Sequence, residues 1–438
     1  VWWNAYQEAV TSCRCTCAEG RIDKVIGLVA EGSGPRMGIG ALCAIENADG
    51  RRIPSEVIGF RDDRMVFMSY GEMRGIQLGC RVIPLQDRPE AAVGEGFLGR
   101  VVDGLGRPMD GLGPLGPTRR YPLYAEVVNP MDRRPIREPV GVGVSVMDAL
   151  ITVGRGQRMA IMAGSGVGKS VLMGMIARNT AADVCVVALI GERGREVKEF
   201  LEKSLGQEGL AKSVVVAATS DVSPLIRMRG AYLATALAEY FRDRGQHVVL
   251  MMDSVTRFAM SCRDVGLAAG EPPTVKGYTP SFFVQLPKLL ERAGNIEGKG
   301  SVTGIYTVLV DGDDMNDPVG DAVRSVADGH VVLSRKLAHQ GHYPAVDVLA
   351  SVSRVMGDIV TDEHLRLAKK VREILSHYRE MEDLINIGAY VEGSDPKTDY
   401  ARKMIDKVRA FLRQDTGEKI PLELAVSRLQ AVFKGATA

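Results

Sequence analysis

The 438-residue sequence is poor in aromatic residues, only 5%, and has almost no net charge, with 55 Lys and Arg against 54 Asp and Glu. The scarcity of aromatics leaves no stacking platform for bases, and no basic stretch is interleaved with aromatics. A formal charge of +1 argues against a nucleic-acid coat or a polybasic membrane binder, since both need a field of one sign. No run approaches the roughly 18 apolar residues of a membrane span; the longest lies near Val184–Ile190. The start, Trp2-Trp3-Asn4 followed by Glu8, lacks the basic segment of a signal peptide, so a cytoplasmic location is expected. Paired cysteines are missing too. The seven, Cys13, Cys15, Cys17, Cys43, Cys80, Cys185 and Cys262, are odd in number and form no C-x-x-C frame, which suits a reducing compartment. The Cys13-x-Cys15-x-Cys17 tract has no matching ligand cluster and reads as reduced thiols rather than a soft-metal site.

Glycine is plentiful, 49 residues or about 11% against roughly 7% on average. With 45% hydrophobic and 25% charged residues, the chain reads as a soluble globular α/β protein with many tight strand-to-helix turns, long enough for two or three domains. After an N-terminal segment (1–20), short alternating stretches occupy residues 21–90: Val25–Val29, Ile39–Ile45, Glu56–Phe60, Met65–Tyr70 and Arg81–Leu85. Turn residues separate them, as in a small β-barrel. Residues 91–150 are dense in Gly and Pro and form a connector, with short strands expected at Gly99–Val102 and Tyr121–Val127. From there to 360, the apolar runs Arg158–Met162, Val184–Ile190, Ser213–Ala218, His247–Met252 and Ser301–Val310 alternate with helical segments. Such runs mark strands buried on both faces of a parallel sheet. Ser223–Arg244 is expected to be a helix capped by Asp221, with Pro224 in its first turn and Gly245 as its stop. Residues 361–438 are helical: Leu367, Val371, Ile374, Leu375 and Tyr378 form one stripe, Gly388 ends the first helix, and Asp395-Pro396 starts the next.

Ala163-Gly164-Ser165-Gly166-Val167-Gly168-Lys169-Ser170 follows one buried strand and opens a helix. This is a P-loop in its proper context: glycines allow a tight turn that aims N–H groups at phosphate oxygens, at the positive end of a helix. Lys169 is expected to contact the β- and γ-phosphates, and the Ser170 hydroxyl to bind Mg²⁺. A chance match is on the order of 0.03 per chain of this length at average composition. Beside it, His247–Met252 ends in Asp253, as expected of the carboxylate that orients Mg²⁺ through water. Val184–Ile190 ends in Gly191-Glu192-Arg193-Gly194. Strand ends gather at one sheet edge, which places Glu192 to polarise an attacking water and Arg193 to face phosphate charge; a Glu–Arg surface pair is the plainer reading. Arg354 reads locally either as a guanidinium for developing phosphate charge or as a helix-end salt bridge. No H-E-x-x-H or nucleophile elbow is present among the histidines and serines.

Further stretches carry a family resemblance. Gly191-Glu192-Arg193-Gly194-Arg195-Glu196 and Pro344-Ala345-Val346-Asp347-x₃-Ser351-x-Ser353 resemble signatures of the rotary ATP synthase α/β superfamily. Within it, Leu150–Arg158, Gly270-Glu271-Pro272-Pro273, Glu291-Arg292-Ala293-Gly294, Asp313-Asp314-x₂-Asp317-Pro318 and Gly388–Pro396 are similar to the flagellum-specific ATPases of type III export, over about residues 21 to 433. The resemblance implies a RecA-like P-loop ATPase core with an N-terminal β-barrel and a C-terminal helical domain. It also implies a homohexamer with ATP sites between subunits. Gly164, Ser165, Gly166, Val167, Gly168, Lys169 and Ser170 would bind nucleotide; Lys169, Ser170, Glu192 and Asp253 would form the catalytic shell, with Arg193 and Arg257 near phosphate. Arg354 would be a finger supplied to the neighbour, Tyr343 would stack on adenine, and the loop Glu271–Phe282 would face a central pore. Implied cofactors are ATP and Mg²⁺. Implied partners are regulator and stalk-like proteins, an export gate and chaperone–substrate complexes, with peripheral association at the inner face of the cell membrane. Family members begin with a longer amphipathic helix; the twenty residues before the barrel and their cysteine tract do not match it.

The expected function is therefore ATP hydrolysis in support of flagellar protein export. Alternatives are a virulence-type secretion ATPase, a catalytic subunit of an ion-coupled rotary synthase, a ring-shaped RNA translocase, or a non-catalytic nucleotide-binding subunit. Glu192 speaks against the last, since such subunits generally lack that carboxylate.

Overall fold

Six short strands separated by turn residues close into a barrel near the amino end. The computed structural model describes residues 3, 18–310 and 317–434; the cysteine tract at 13–17 and Asp313-Asp314 lie outside the described residues. Around the ring the strands run Gly20–Ile26, Val29–Ser33, Arg64–Ser69, Arg52–Arg61, Leu42–Glu46 and Arg81–Gln86. Ile22, Cys43, Ile45, Val57, Phe67 and Val82 fill the interior, and closure leaves no strand edge to pair with other chains. The expected strand Val25–Val29 instead spans a hairpin tip: Gly27 takes φ +58 and Leu28 is exposed. The apolar residues on both sides of Gly27 mask the turn, which only the glycine announces.

The central sheet is ordered Val352–Ser353, Gly329–Leu333, Arg158–Ala163, Ser301–Leu309, His247–Asp253, Val184–Ile190, Ser213–Ala218 and Val101–Asp103, with Gly294–Asn295 attached to the side. Only Val352–Ser353 and Gly294–Asn295 pair antiparallel. From Arg158–Ala163 the chain skips two positions to Val184–Ile190 and fills the gap later. Parallel strands joined this way need helical crossovers, and these cover both faces. Val184–Ile190 is buried at all seven positions. Val186, Ala188 and Ile190 belong to the layer of Leu225, Ala231 and Phe258, while Cys185, Val187 and Leu189 belong to that of Leu172, Ile176 and Val371. Each fully buried Val, Leu or Ile is worth about 1.5–3 kcal/mol, so this strand is pinned from two sides.

The helix Pro224–Asp243 is capped by Ser223, whose hydroxyl accepts from Ile226 N, and not by Asp221. With proline at the first helical position, the cap must be the residue just before it. Arg292 lies buried inside the core and donates to Glu239 through Nε at 2.9 Å and Nη2 at 2.5 Å, and to the Leu123 carbonyl at 2.7 Å. These bonds satisfy a guanidinium removed from water and tie the connector to the core.

Three helices close the chain: Asp362–Asn386, Pro396–Leu412 and Leu422–Phe433. Asp395 caps the second through Lys397 N and Thr398 N. Their apolar stripe, including Ala368, Val371, Met404, Val408 and Leu429, merges with the layer over the sheet. Arg372 fastens it further, donating to the carbonyls of Val348, Ser351 and Leu150 at 2.6, 3.1 and 3.1 Å.

Candidate nucleotide site

Strand Arg158–Ala163 runs through the turn Gly164–Gly168 straight into helix Lys169–Asn179. Gly166 at φ +77 and Gly168 at φ +92 hold left-handed conformations that side-chain-bearing residues avoid. Val167 is buried and anchors the loop, whereas Ser165, Gly166 and Ser170 are exposed. The result is an open backbone concavity at the positive end of an eleven-residue helix, a geometry suited to anions.

Two neighbouring strand ends supply the carboxylates. The Lys169 ammonium contacts the Asp253 carboxylate and stands 3.8 Å from Glu192 Oε1. Asp253 Oδ1 also accepts from the Thr307 hydroxyl at 2.8 Å. Sequence reasoning missed Thr307, one of several hydroxyl-bearing residues on the strand Ser301–Leu309, which lies between the strand leading into the P-loop and the one ending in Asp253. Glu192 follows Gly191, which sits at φ +71, and a Cβ there would come within 2.7 Å of the Arg257 side chain. Gly191 N donates to the Ala218 carbonyl at 2.6 Å and Ser220 N to the Glu192 carbonyl at 3.0 Å, so the turn carrying Glu192 is stapled to the next strand. Burial, and then the Asp253 charge, push the Glu192 carboxyl up to about 7, against the pull of Lys169. A carboxyl poised near neutrality is suited to accept a proton at physiological pH.

The remaining expected residues divide into near and far. The Arg257 stem packs on Gly191, and its Nε is buried without a hydrogen-bond partner among the described residues. Tyr343 is 45% exposed, and a Cβ on Gly168 would lie 3.5 Å from its ring, so the ring borders the P-loop. Arg193 is exposed: its side chain is 77% accessible and stands 3.9 Å from Glu196, the surface Glu–Arg pairing. Arg354 is at the opposite sheet edge. Ser353 pairs with Gly329, and four residues further on Leu333 pairs with Ala163, about 13 Å along the strand at 3.3 Å per residue. There Arg354 is exposed and donates to the Arg324 carbonyl at 3.3 Å. In the loop Glu271–Phe282 the tip Val275 is exposed, but Tyr278 and Phe282 are buried in the core.

Among the described residues no group of three or more His, Cys, Asp or Glu gathers to hold a metal ion. The Ser170 hydroxyl and the Asp253 carboxylate are hard oxygen donors beside an anion cradle. That set fits Mg²⁺, which is bound through one or two carboxylates plus substrate phosphates rather than by an all-protein cage.

The ATP synthase alpha/beta family's nucleotide-binding domain matches residues 143–353 and its beta-barrel domain residues 22–86. The T3SS EscN ATPase C-terminal domain matches residues 360–431. The flagellum-specific ATP synthase of Bacillus subtilis is 53% identical over 417 residues, 94% of each chain. The assembled ATPase EscN of the enteropathogenic E. coli type III secretion system superposes with TM-score 0.90 at 45% identity, over 94% of this chain and 99% of that one. EscN in complex with its central stalk EscO gives 0.87 at 44% identity, with the same coverage.

Proposed function

Because the chain belongs to the ATP synthase alpha/beta family, in the branch of the flagellar and type III secretion ATPases, we propose that it hydrolyses Mg·ATP at the seams of a homohexamer and energises export of unfolded proteins through a flagellar type III apparatus. The observation that carries the reading is Lys169, at the mouth of the P-loop, in contact with Asp253 and beside a Glu192 carboxyl poised near neutrality. The type III match of residues 360–431 disfavours an ion-coupled synthase subunit and an RNA translocase.

In this mechanism the amides of Gly164–Gly168 and the Lys169 ammonium grip the triphosphate, and Tyr343 stacks on adenine. Magnesium, when bound at the Ser170 hydroxyl and through water to Asp253, supplies positive charge that offsets the negative charge of the phosphates. Thr307 holds Asp253 in place. Glu192 orients the attacking water and takes its proton as the new O–P bond forms at the γ-phosphorus; the bond from that phosphorus to the β,γ-bridging oxygen breaks, the electron pair leaves with ADP, and inorganic phosphate is released. Arg257 and Arg193 face the phosphate charge, and Arg354 arrives from the neighbouring subunit. The protein works in the cytoplasm, at the inner face of the membrane, with regulator, stalk-like and chaperone–substrate partners. Among its described residues no helix is long and apolar enough to cross a membrane.

A base near neutrality makes the rate pH-dependent. Glu192 must be ionised to accept the proton, so kcat/KM, which reports the free enzyme, is expected to rise with pH through about 7. A profile flat between pH 5.5 and 8 contradicts the assignment. The cellular role is tested by deleting the gene. Cells are expected to lose filaments and secreted filament protein, and to regain both with the intact gene. Deleted cells with normal filaments overturn the flagellar reading, and loss of other secreted proteins alone points to the virulence-type system.

A further inference from the structure

The link between the last two helices holds a residue that the mechanism above does not use. Gln414 is buried, and most of what it touches is distant in sequence. Its main-chain N–H donates to the Tyr343 carbonyl at 3.0 Å. Its side-chain Oε1 accepts from Ser145 N at 2.7 Å, while Nε2 donates to the Gly143 and Glu418 carbonyls at 3.0 and 3.1 Å. Both amide hydrogens and the carbonyl of the side chain are thus engaged. The anchor is itself fixed, because Gly143 N donates to Asp148 Oδ2 at 2.9 Å. The same link reaches the P-loop helix, where Arg178 Nη2 donates to the Thr416 carbonyl at 2.7 Å.

We infer that Gln414 is a positioning residue for the adenine subsite: its side chain clamps the link to the core, and the link's backbone holds the carbonyl of Tyr343, setting its ring against Gly168. The inference rests on the proposal that Tyr343 stacks on adenine. It separates two parts of nucleotide binding. The triphosphate cradle is built from Gly164–Ser170, none of which hydrogen-bonds to Gln414, whereas Tyr343 of the base platform does. A substitution at Gln414 therefore weakens ATP without weakening a ligand that has phosphates and no base.

Gln414→Met keeps the side-chain volume and removes all three hydrogen bonds. It is expected to raise the KM for ATP about tenfold, as loss of a buried hydrogen-bond set does, with kcat changed less than the KM. Inhibition by magnesium tripolyphosphate is expected to stay at the parent level. Combined with Tyr343→Ala, it is expected to add nothing to the KM, because the platform is already gone. Equal weakening of ATP and tripolyphosphate, or additive effects in the double variant, overturns the proposal. An unchanged KM in Tyr343→Ala alone overturns the adenine reading instead, so the two failures are distinguishable. If Gln414→Met does not fold, Gln414→Glu carries the same comparison, since it keeps the acceptor for Ser145 N and loses the donor to Gly143 and Glu418.

Discussion

Glu192→Gln is expected to bind ATP as tightly as the parent chain while its turnover falls about 10²–10⁴-fold, the usual contribution of a positioned general base. The substitution preserves shape and removes the ionisable oxygen. The amides of the P-loop and the Lys169 ammonium, which hold the triphosphate, are left in place. Glu192 also carries a desolvation cost when ionised, seen in its carboxyl pushed up to about 7, and the glutamine removes that cost. Affinity by calorimetry and phosphate release on the same preparation check both halves. Undiminished turnover removes Glu192 as the base; lost binding shows that the residue holds nucleotide or the fold instead.

For Arg354→Ala the expected loss of turnover in the assembled protein is about 10³–10⁵-fold, the range for an arginine supplied to developing phosphate charge. Binding of ATP by the dissociated chain should be unaffected, because Arg354 lies at the sheet edge opposite its own P-loop. The guanidinium is exposed and rests on the Arg324 carbonyl, a neutral partner it can leave for a phosphate. The measurement is turnover against protein concentration. The parent's specific activity is expected to climb with concentration as seams form, and the variant's to stay low. A variant whose activity climbs like the parent's contradicts a finger acting across subunits.

The sequence revealed most of this arrangement wherever a residue's role is local. The P-loop is readable because its glycines, lysine and serine are contiguous, and Asp253 and Glu192 because each ends an apolar run. The parallel sheet is readable because strands buried on both faces lack polar positions. Misreadings came where two local signals competed: Asp221 against Ser223 for one cap, and apolar residues around Gly27 hiding a hairpin tip. Thr307 and Gln414 were illegible for a different reason. Each acts through a partner far along the chain, Asp253 in one case and Tyr343, Gly143 and Ser145 in the other, and no spacing rule connects them. The role proposed for Arg354 rests on resemblance alone. Within its own chain its guanidinium is exposed and reaches the Arg324 carbonyl.

The central claim is that one hydrolytic site is assembled from two copies of this chain. Mixing Glu192→Gln with Arg354→Ala tests it most directly. In the mixture, some seams join the intact Glu192 of one chain to the intact Arg354 of its neighbour, so turnover is expected to rise well above that of either variant and to peak near equal amounts. If the mixture never exceeds the weighted sum of the two inactive preparations, although both co-assemble, base and finger do not meet across a subunit boundary and the account fails.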